Sequence, residues 1–513
     1  MKRLFEKYPV QSVLVLMLIC FSPLMALRDF TPANELRYLS IADEAIREGH
    51  LFAFTNHGLA YADKPPLYLW LFMLSRLIFG GHVMYVLSLF SFIPMAVIVL
   101  TMDKWVFGGT GEKPRKRAAS ALMLGTSLLF TGISMFLRMD MLMTMFIVLA
   151  LYSWHKDRPW LFALFTFLAL FTKGPVGLLV PPVAVVTYYL STRQKGLGRW
   201  LGWRFWLLLA GLCAVWFTGA WLDGGKEYLS NLLFHQTLDR AVNSFNHSEP
   251  FYFYLTGIWE VLFPWSLLAV PVLIMSLVRR KGSSGTEKMF RCTVLSAFVM
   301  LSCFSSKINL YLAPVIPFII YLLPLTVGRL GWRRWMSWAV AVPAALTGIF
   351  GLILSLAVPL PLIDRIPSMS AYLQFFHSPW MAAVGLVLLA GAIWTAAGAF
   401  RERSLTCSIP LACGIVAAVL FFSPIVPGLN DFIGYAALCK DIPAGETVYG
   451  RRVQRCENMD VFLGHEIVKL SDDDPAPEDG VFVSKANSED PVLIGRRKIV
   501  HGQNAVWLPS GWE

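Results

Sequence analysis

The stretch Lys64-Pro65-Pro66-Leu67-Tyr68-Leu69-Trp70-Leu71-Phe72-Met73-Leu74-Ser75-Arg76-Leu77-Ile78-Phe79-Gly80 decides how the rest of the chain is oriented. It is one apolar run among many. Runs of about 20 residues, enough as helices to cross a hydrocarbon core of roughly 30 Å, recur over the first 425 positions. They stand at 9–27, 82–103, 117–136, 141–155, 159–172, 174–191, 203–222, 255–279, 290–304, 309–328, 334–356, 379–399 and 406–424. Of the 513 residues, 56% are hydrophobic and 15% charged, with a mean hydropathy of +0.58. A soluble chain of this size exposes more charge. Lipid offers backbone groups no partners, so each run is expected to be a helix.

Whether 66–80 crosses sets the side of everything after it. If it does not cross and the N-terminus is inside, every even-numbered connection is cytoplasmic. Those connections carry Lys113, Arg115, Lys116 and Arg117; Lys156 and Arg158; Arg193, Lys195 and Arg199; Arg279, Arg280, Lys281, Lys288 and Arg291; Arg329, Arg333 and Arg334; and Arg401 and Arg403. Counting 66–80 as a span would put nearly all this charge outside, against the positive-inside rule. It is therefore expected to lie along the outer interface, with Tyr68 and Trp70 at headgroup level. About thirteen spans follow, occupying 1–425, with a long first outer loop at 28–81 and residues 426–513 as an outer soluble domain.

The formal net charge of +11 fits basic cytoplasmic loops better than a nucleic-acid partner. The eight Cys form no CxxC pair, which argues against a metal cluster. Cys439 and Cys456, in the polar tail, could pair in an oxidising compartment. The first segment, behind Lys2, Arg3 and Lys7, resembles a signal peptide without a small-residue cleavage site and reads as a signal anchor. In the tail, Val481-Phe482-Val483 and Val492-Leu493-Ile494 read as strands between turns, hence a small α/β or β-rich domain.

This topology gathers the unusual polar residues on the outer face. Asn34-Glu35-Leu36-Arg37-Tyr38 opens an amphipathic helix, and Tyr61-Ala62-Asp63-Lys64 leads into the interfacial one. Arg138-Met139-Asp140, Lys173, Arg240, His247, Glu249, Phe251, Lys307 and Tyr311 fall there too. Taken singly, Glu35 and Arg37 read as a solvated helix face, Asp140 as a helix N-terminal charge, and the lysines as snorkelling anchors. Those readings do not jointly explain why lysines and carboxylates cluster on the side expected to lack basic residues. Ionisable groups at membrane depth are costly and usually functional.

Glycosyl transfer from a lipid-linked sugar phosphate uses this set. A departing polyprenyl phosphate needs cations as negative charge develops, and Lys64, Lys173, Arg240 and Lys307 are suitable types. An acceptor hydroxyl needs a carboxylate base, with Glu35 and Asp140 as candidates; an acceptor phosphate needs no strong base. Tyr38, Tyr61, Tyr311 and Phe251 are suited to line sugar and lipid pockets.

Across most of 28–315 these strings, in this order and spacing, resemble the membrane glycosyltransferase family of protein O-mannosyltransferases and lipid A aminoarabinose transferases. The strings are Glu35-x-Arg37-Tyr38, Tyr61-x-Asp63-Lys64-Pro65-Pro66-Leu67, Arg138-Met139-Asp140-Met141-Leu142 and Thr172-Lys173-Gly174-Pro175. Arg240 with His247-Ser248-Glu249-Pro250-Phe251, and Ser305-Ser306-Lys307 before Tyr311, complete them. Lys-Pro-Pro-Leu and the small tail are more similar to the lipid A branch. The resemblance implies a GT-C fold with about thirteen membrane helices and a periplasmic C-terminal domain. It implies transfer with inversion from a polyprenyl-phosphate sugar to lipid A or a related acceptor, in the bacterial inner membrane, with no nucleotide and no nucleic acid.

The implied catalytic residues are Glu35 and Asp140. The implied substrate-binding residues are Asn34, Arg37, Tyr38, Tyr61, Asp63, Lys64, Lys173, Arg240, His247, Glu249, Lys307 and Tyr311. No cofactor is expected, the donor being a co-substrate, and no ligand spacing calls for a divalent metal near the carboxylates and His247. One departure stands out. The family's first loop usually carries an Asp-Glu pair with the Asp as the favoured catalytic acid, and here that position is Asn34. Either Glu35 takes over, or Asp140 does more, or the acceptor is a phosphate.

Protein O-glycosylation, a transporter and a non-catalytic relative compete with this reading. Transporters place ionisable groups near the midplane on broken helices, often in inverted repeats, whereas these groups sit at span ends. The topology predicts that a tag at position 110 stays inaccessible from outside intact cells; external labelling there would reverse the orientation.

Overall fold

The computed structural model describes residues 2–233, 249–357, 374–475, 477 and 479–509. A short helix at Lys2–Lys7 precedes α1 (Pro9–Leu27). A π-helical turn at Pro32–Leu36 leads into α2 (Arg37–Glu48), the hairpin of β1 (Thr55–Asn56) and β2 (Leu59–Ala60), and α3 (Leu67–Phe79). The bundle continues through α4 (Met84–Phe107), α5 (Pro114–Gly125), α6 (Leu128–Met135), α7 (Met139–His155), α8 (Pro159–Lys173), α9 (Pro175–Thr192) and α10 (Trp203–Ser230). It resumes with α11 (Phe253–Val261), α12 (Ser266–Val278), α13 (Gly285–Cys303), α14 (Ile316–Leu330), α15 (Arg334–Ala357), α16 (Pro379–Arg401), α17 (Ile409–Phe422) and α18 (Val426–Ile433).

Each apolar run expected to span coincides with a helix or a broken pair. Among the described residues, seven helices are long and apolar enough to cross unaided, and α5 with α6, bent by 72°, makes an eighth. Of the other passes, α7, α8 and α14 have 17, 15 and 15 residues, α11 with α12 is broken before Ser266, and α13, with 19 residues, carries Glu287, Lys288 and Arg291 in its first two turns.

Two sets of contacts place α3 without appeal to charge. Glu35, before α3, accepts a hydrogen bond from the Leu137 backbone N–H at 2.8 Å. Between α3 and Leu137 the chain crosses twice, along α4 and along α5–α6. Glu35 and Leu137 can therefore meet at one end of the bundle only if α3 stays at that end. The tail repeats the result. Asn430 accepts from Asp29 N–H at 2.9 Å and donates to the Leu27 carbonyl at 2.8 Å, so residues 27–29 and 430 share an end.

The 13 residues of α3 reach about 20 Å, too short to cross. Gly80, at φ 67°, ends the helix in the left-handed conformation that glycine adopts without strain. Tyr68, Leu69, Phe72 and Met73 are buried against α2, while Leu74, Leu77, Ile78 and Phe79 face outward. An apolar outer face suits a helix lying on lipid. Tyr68 is not a headgroup anchor as expected: its ring is enclosed edge-on between Tyr38 and Phe72. Trp70 donates its indole N–H to the Leu51 carbonyl at 2.6 Å.

The C-terminal sheet has five strands, β3 (Val448–Gly450), β4 (Val468–Lys469), β5 (Val481–Lys485), β6 (Arg497–His501) and β7 (Asn504–Leu508), in the order β4-β3-β5-β7-β6. β3 pairs parallel with β4 and β5, and β7 antiparallel with β5 and β6. Val481–Val483 is a strand as expected. Val492–Ile494 is not: Pro491 has no N–H for a ladder, and Asp490 caps the Val492 N–H, so Pro491–Leu493 forms a 3-10 turn. Cys439 and Cys456 do not pair. Both are buried free thiols, and burial raises both pKa values, Cys456 to about 11.

The far part of the first loop hangs on α10. Asp223 accepts from the backbone N–H groups of Leu51, Phe52 and Ala53 at 2.7–2.9 Å and from His50 Nδ1 at 2.7 Å. Tyr228 accepts from Phe54 N–H at 3.2 Å and donates to the Tyr61 carbonyl at 3.1 Å. Asp223→Ala strands three backbone N–H donors and His50 at once. It is expected to cost on the order of 2 kcal/mol, read as a lower thermal midpoint and faster hydrogen exchange at 50–54.

Candidate active site

Glu35 sits in the π-helical turn, 1% exposed. Both oxygens meet the Arg28 guanidinium, at 2.7 and 2.8 Å. Thr31 donates its N–H and its hydroxyl to Oε2, at 2.9 and 3.0 Å, and Leu137 N–H donates to Oε1. Five donors fill the roughly four lone-pair directions of a carboxylate. Glu35 therefore presents no open acceptor to the outer face, contrary to its expected place as a base. Arg28 also donates to the Met135 carbonyl at 3.1 Å. The pair ties the first loop to the turn that carries Arg138 and Asp140.

Asp140 lies in the first turn of α7, also 1% exposed. Lys173, the last residue of α8, is ion-paired with it. Each sits where its helix favours its charge, the carboxylate at an N–H end and the ammonium at a carbonyl end. The Lys173 ammonium also lies 4.8 Å from the Tyr311 ring centre. Tyr311 belongs to the 3-10 turn Asn309–Leu312, just after Lys307, which is buried and donates to the Glu249 carbonyl at 2.8 Å.

Arg37 lies 5.8 Å from the Tyr38 ring centre and 5.6 Å from that of Tyr61. Burial raises the Tyr38 phenol pKa, Arg37 and Arg138 pull it back, and Asp140 adds to the rise. These groups thus share one electrostatic neighbourhood. In it Arg37, Arg138 and Lys173 stand with the Asp140 carboxylate, the nearby Glu35 being taken up by Arg28, a balance that suits an anionic ligand.

Of the expected residues, the structure brings Arg37, Tyr38, Asp140, Lys173 and Tyr311 into this neighbourhood, with Tyr61 against Arg37. Asn34 is half-buried in the turn beside Glu35, and Asp63 and Lys64 are half-buried just beyond Tyr61. Glu249 contributes its backbone carbonyl, while its side chain is exposed. Phe251, expected to line a pocket, is 75% exposed. Arg240 and His247 lie outside the described residues. Among the described residues no three His, Cys, Asp or Glu side chains are grouped to hold a metal. Arg28 was missed, although a basic residue just after the first span, on the outer side, is the same anomaly that singled out Lys64.

Helical passes broken near their outer ends, an interfacial helix between the first two, and a small mixed sheet on the same end make this a GT-C membrane fold. Comparison with known proteins agrees. The chain aligns over 97% of its length with 96% of ArnT from Cupriavidus metallidurans, whose crystal structure holds undecaprenyl phosphate, at a TM-score of 0.73 and 19% identity. It is 23% identical over 434 residues to an undecaprenyl phosphate-alpha-4-amino-4-deoxy-L-arabinose arabinosyl transferase of Pseudomonas fluorescens, covering 80% of this chain and 72% of that one. It is 25% identical over 293 residues to an uncharacterized protein of Aquifex aeolicus, covering 55% of this chain and 57%, little more than half, of that relative. No family model matches.

Removing one member of a buried ion pair costs about 3–5 kcal/mol because the other charge is left uncompensated. Glu35→Gln should lower the thermal midpoint accordingly. Glu35→Gln combined with Arg28→Met should cost less than the sum of the single changes in a double-variant unfolding cycle.

Proposed function

We propose that the chain is an inverting glycosyltransferase that moves a sugar from a polyprenyl phosphate to lipid A or a related envelope acceptor. The reaction is placed at the periplasmic face of the bacterial inner membrane, with the N-terminus cytoplasmic and the C-terminal domain periplasmic. The observation that carries this reading is the buried Asp140–Lys173 pair over Tyr311, in a cation-rich neighbourhood at the outer span ends. The fold and the named relatives support it.

In the reaction, the bond between the anomeric carbon and the phosphate oxygen breaks and its electron pair leaves with the phosphate. The acceptor oxygen attacks the opposite face, which inverts the centre. Lys173 is held by Asp140 so that it can meet the negative charge as it grows, and pre-set cations need no reorganisation at that moment. Lys64, Lys307 and Arg240 are assigned to the same anionic groups. With Glu35 fully engaged, Asp140 is the carboxylate left to accept a proton. Its tight pairing with Lys173 favours an acceptor that has none to lose, a phosphate. The donor is a co-substrate, and the reaction is assigned no resident cofactor.

Purified protein given a polyprenyl-phosphate amino sugar and lipid A should add one sugar mass to lipid A by mass spectrometry. Lys173→Met is expected to lower kcat about 100-fold. Transfer to a peptide hydroxyl in place of lipid A would overturn the acceptor assignment, and transfer to neither would overturn the function.

A further inference from the structure

Arg138 and Asp140 are delivered to the candidate site by a stretch of extended backbone. Phe136, at ψ 155°, follows α6, and Arg138, at φ −129° and ψ 118°, precedes α7. In extended chain the N–H and C=O groups of neighbouring residues point to opposite sides, so one partner cannot hold them all. The Leu137 N–H faces the first loop and is taken by Glu35 at 2.8 Å. Phe136 and Arg138 turn to Ser91 of α4. Its hydroxyl donates to the Phe136 carbonyl at 2.7 Å and receives the Arg138 N–H, more loosely, at 3.4 Å.

Ser91 is fully buried, and its choice of partner is unusual. A hydroxyl within a helix ordinarily turns back on the carbonyl four residues earlier, as those of Ser120, Ser153 and Thr166 do here. Ser91 instead gives its one proton to a carbonyl 45 residues away. A hydroxyl both donates and accepts, so no apolar residue could close this turn. Tyr68 stands near it. Burial raises the Tyr68 phenol pKa, the Ser91 hydroxyl opposes the rise, and Tyr38, Glu35 and Asp140 add to it. Ser91 thus belongs to the surroundings of the candidate site. The turn Asn309–Leu312 is fastened separately: Asn309 Nδ2 donates to Glu260 of α11 at 2.8 Å, and a Cβ on Gly257 would collide with the same amide. Lys173 therefore meets Asp140 from one fastened turn and Tyr311 from another.

We propose that Ser91 is a positioning residue for the transfer reaction: by holding Phe136 and Arg138 it fixes the direction in which α7 begins, and with it the placement of the Asp140 carboxylate on the Lys173 ammonium. This rests on the glycosyl-transfer reading, and it gives Ser91 no contact with either substrate. The Arg28–Glu35 pair sets where the turn lies, and Ser91 sets how it is rotated. Without the hydroxyl the turn is free to rotate about its contacts at Met135 and Leu137. That rotation moves Asp140 off Lys173 without taking the helices apart.

The test uses full-length wild type, Ser91→Ala and Ser91→Cys, the last filling the same space with a weakly hydrogen-bonding group. Each variant is expected to lower kcat about tenfold, the scale of one lost hydrogen bond, and to leave KM for the polyprenyl-phosphate donor within about twofold. Because Ser91 acts through Lys173, Ser91→Ala combined with Lys173→Met should be no slower than Lys173→Met alone. Losses that multiply in the double variant, kcat retained in either Ser91 variant, or a loss carried by KM would each overturn the positioning role. Should Ser91→Ala fail to fold, Ser91→Cys takes its place in the cycle. Hydrogen exchange keeps the two readings apart. The Arg138 N–H should exchange faster in the Ser91 variants while the Leu137 N–H stays protected, and unchanged exchange at Arg138 would overturn the clamp. No transfer by wild type would instead sink the transfer reading, leaving the clamp to be judged on exchange alone.

Discussion

The polar end of this molecule depends on the buried contact of Arg28 and Glu35 with the turn at Met135–Leu137. Taking two charges out of water is costly, and their attraction offsets that cost only when the remaining lone pairs and protons are satisfied. Here the Thr31 N–H and hydroxyl, the Leu137 N–H and the Met135 carbonyl supply partners, with only the Arg28 Nε–H left without one among the described residues, so the pair doubles as a splice between segments 102 and 107 residues apart. It holds the first loop against the turn that delivers Arg138 and Asp140. The same splice keeps α3 at that end of the bundle, because the intervening passes must return to where they began.

The C-terminal domain is built into this end. Asp29 accepts from the Ala436 N–H at 2.8 Å, Asn458 donates to the Pro32 carbonyl at 3.1 Å, and Ser40 donates to Asp460 at 2.7 Å. A side chain on Gly434 would strike the Asp29 carboxylate. Burial raises the pKa of Asp29, opposed by the N–H groups of Ala436 and Phe30. Burial also raises that of Asp460, opposed by the Ser40 hydroxyl. These carboxylates give up water to fasten the tail, and Asn458 braces the start of the turn that carries Asn34 and Glu35.

Helix ends supply the electrostatics of the cluster. Asp140 sits at an N-terminus and Lys173 at a C-terminus, so each charge is favoured by its own helix before the two meet. The broken passes, α5 with α6 and α11 with α12, satisfy part of their irregular backbone against each other: the Leu128 N–H at one break donates to the Phe263 carbonyl at the other at 2.9 Å. A groove lined by Leu128, Ile133, Phe136, Arg138, Glu260 and Asn309 runs along these breaks.

The helical bundle, α3 at its surface and the collection of polar groups at one end were all legible in the sequence. Hydrophobic length and loop charge are local quantities that survive without contacts. Asp140 and Lys173 were legible as suspects for the same reason, since each breaks an otherwise apolar pattern, whereas Tyr311 stood out only as an aromatic suited to line a pocket. What each suspect does was not. Glu35 and Asp140 are both carboxylates on the outer side, and only folding distinguishes one saturated by five donors from one that orients a lysine. Arg28, Asn309 and Glu260 acquire meaning only from neighbours 7, 49 or 107 residues away. Composition decided that this chain lies in a membrane and which end gathers its ionisable groups; the packing of its broken helices decided which charges remain available, because a hydrogen-bond partner is a matter of position in space.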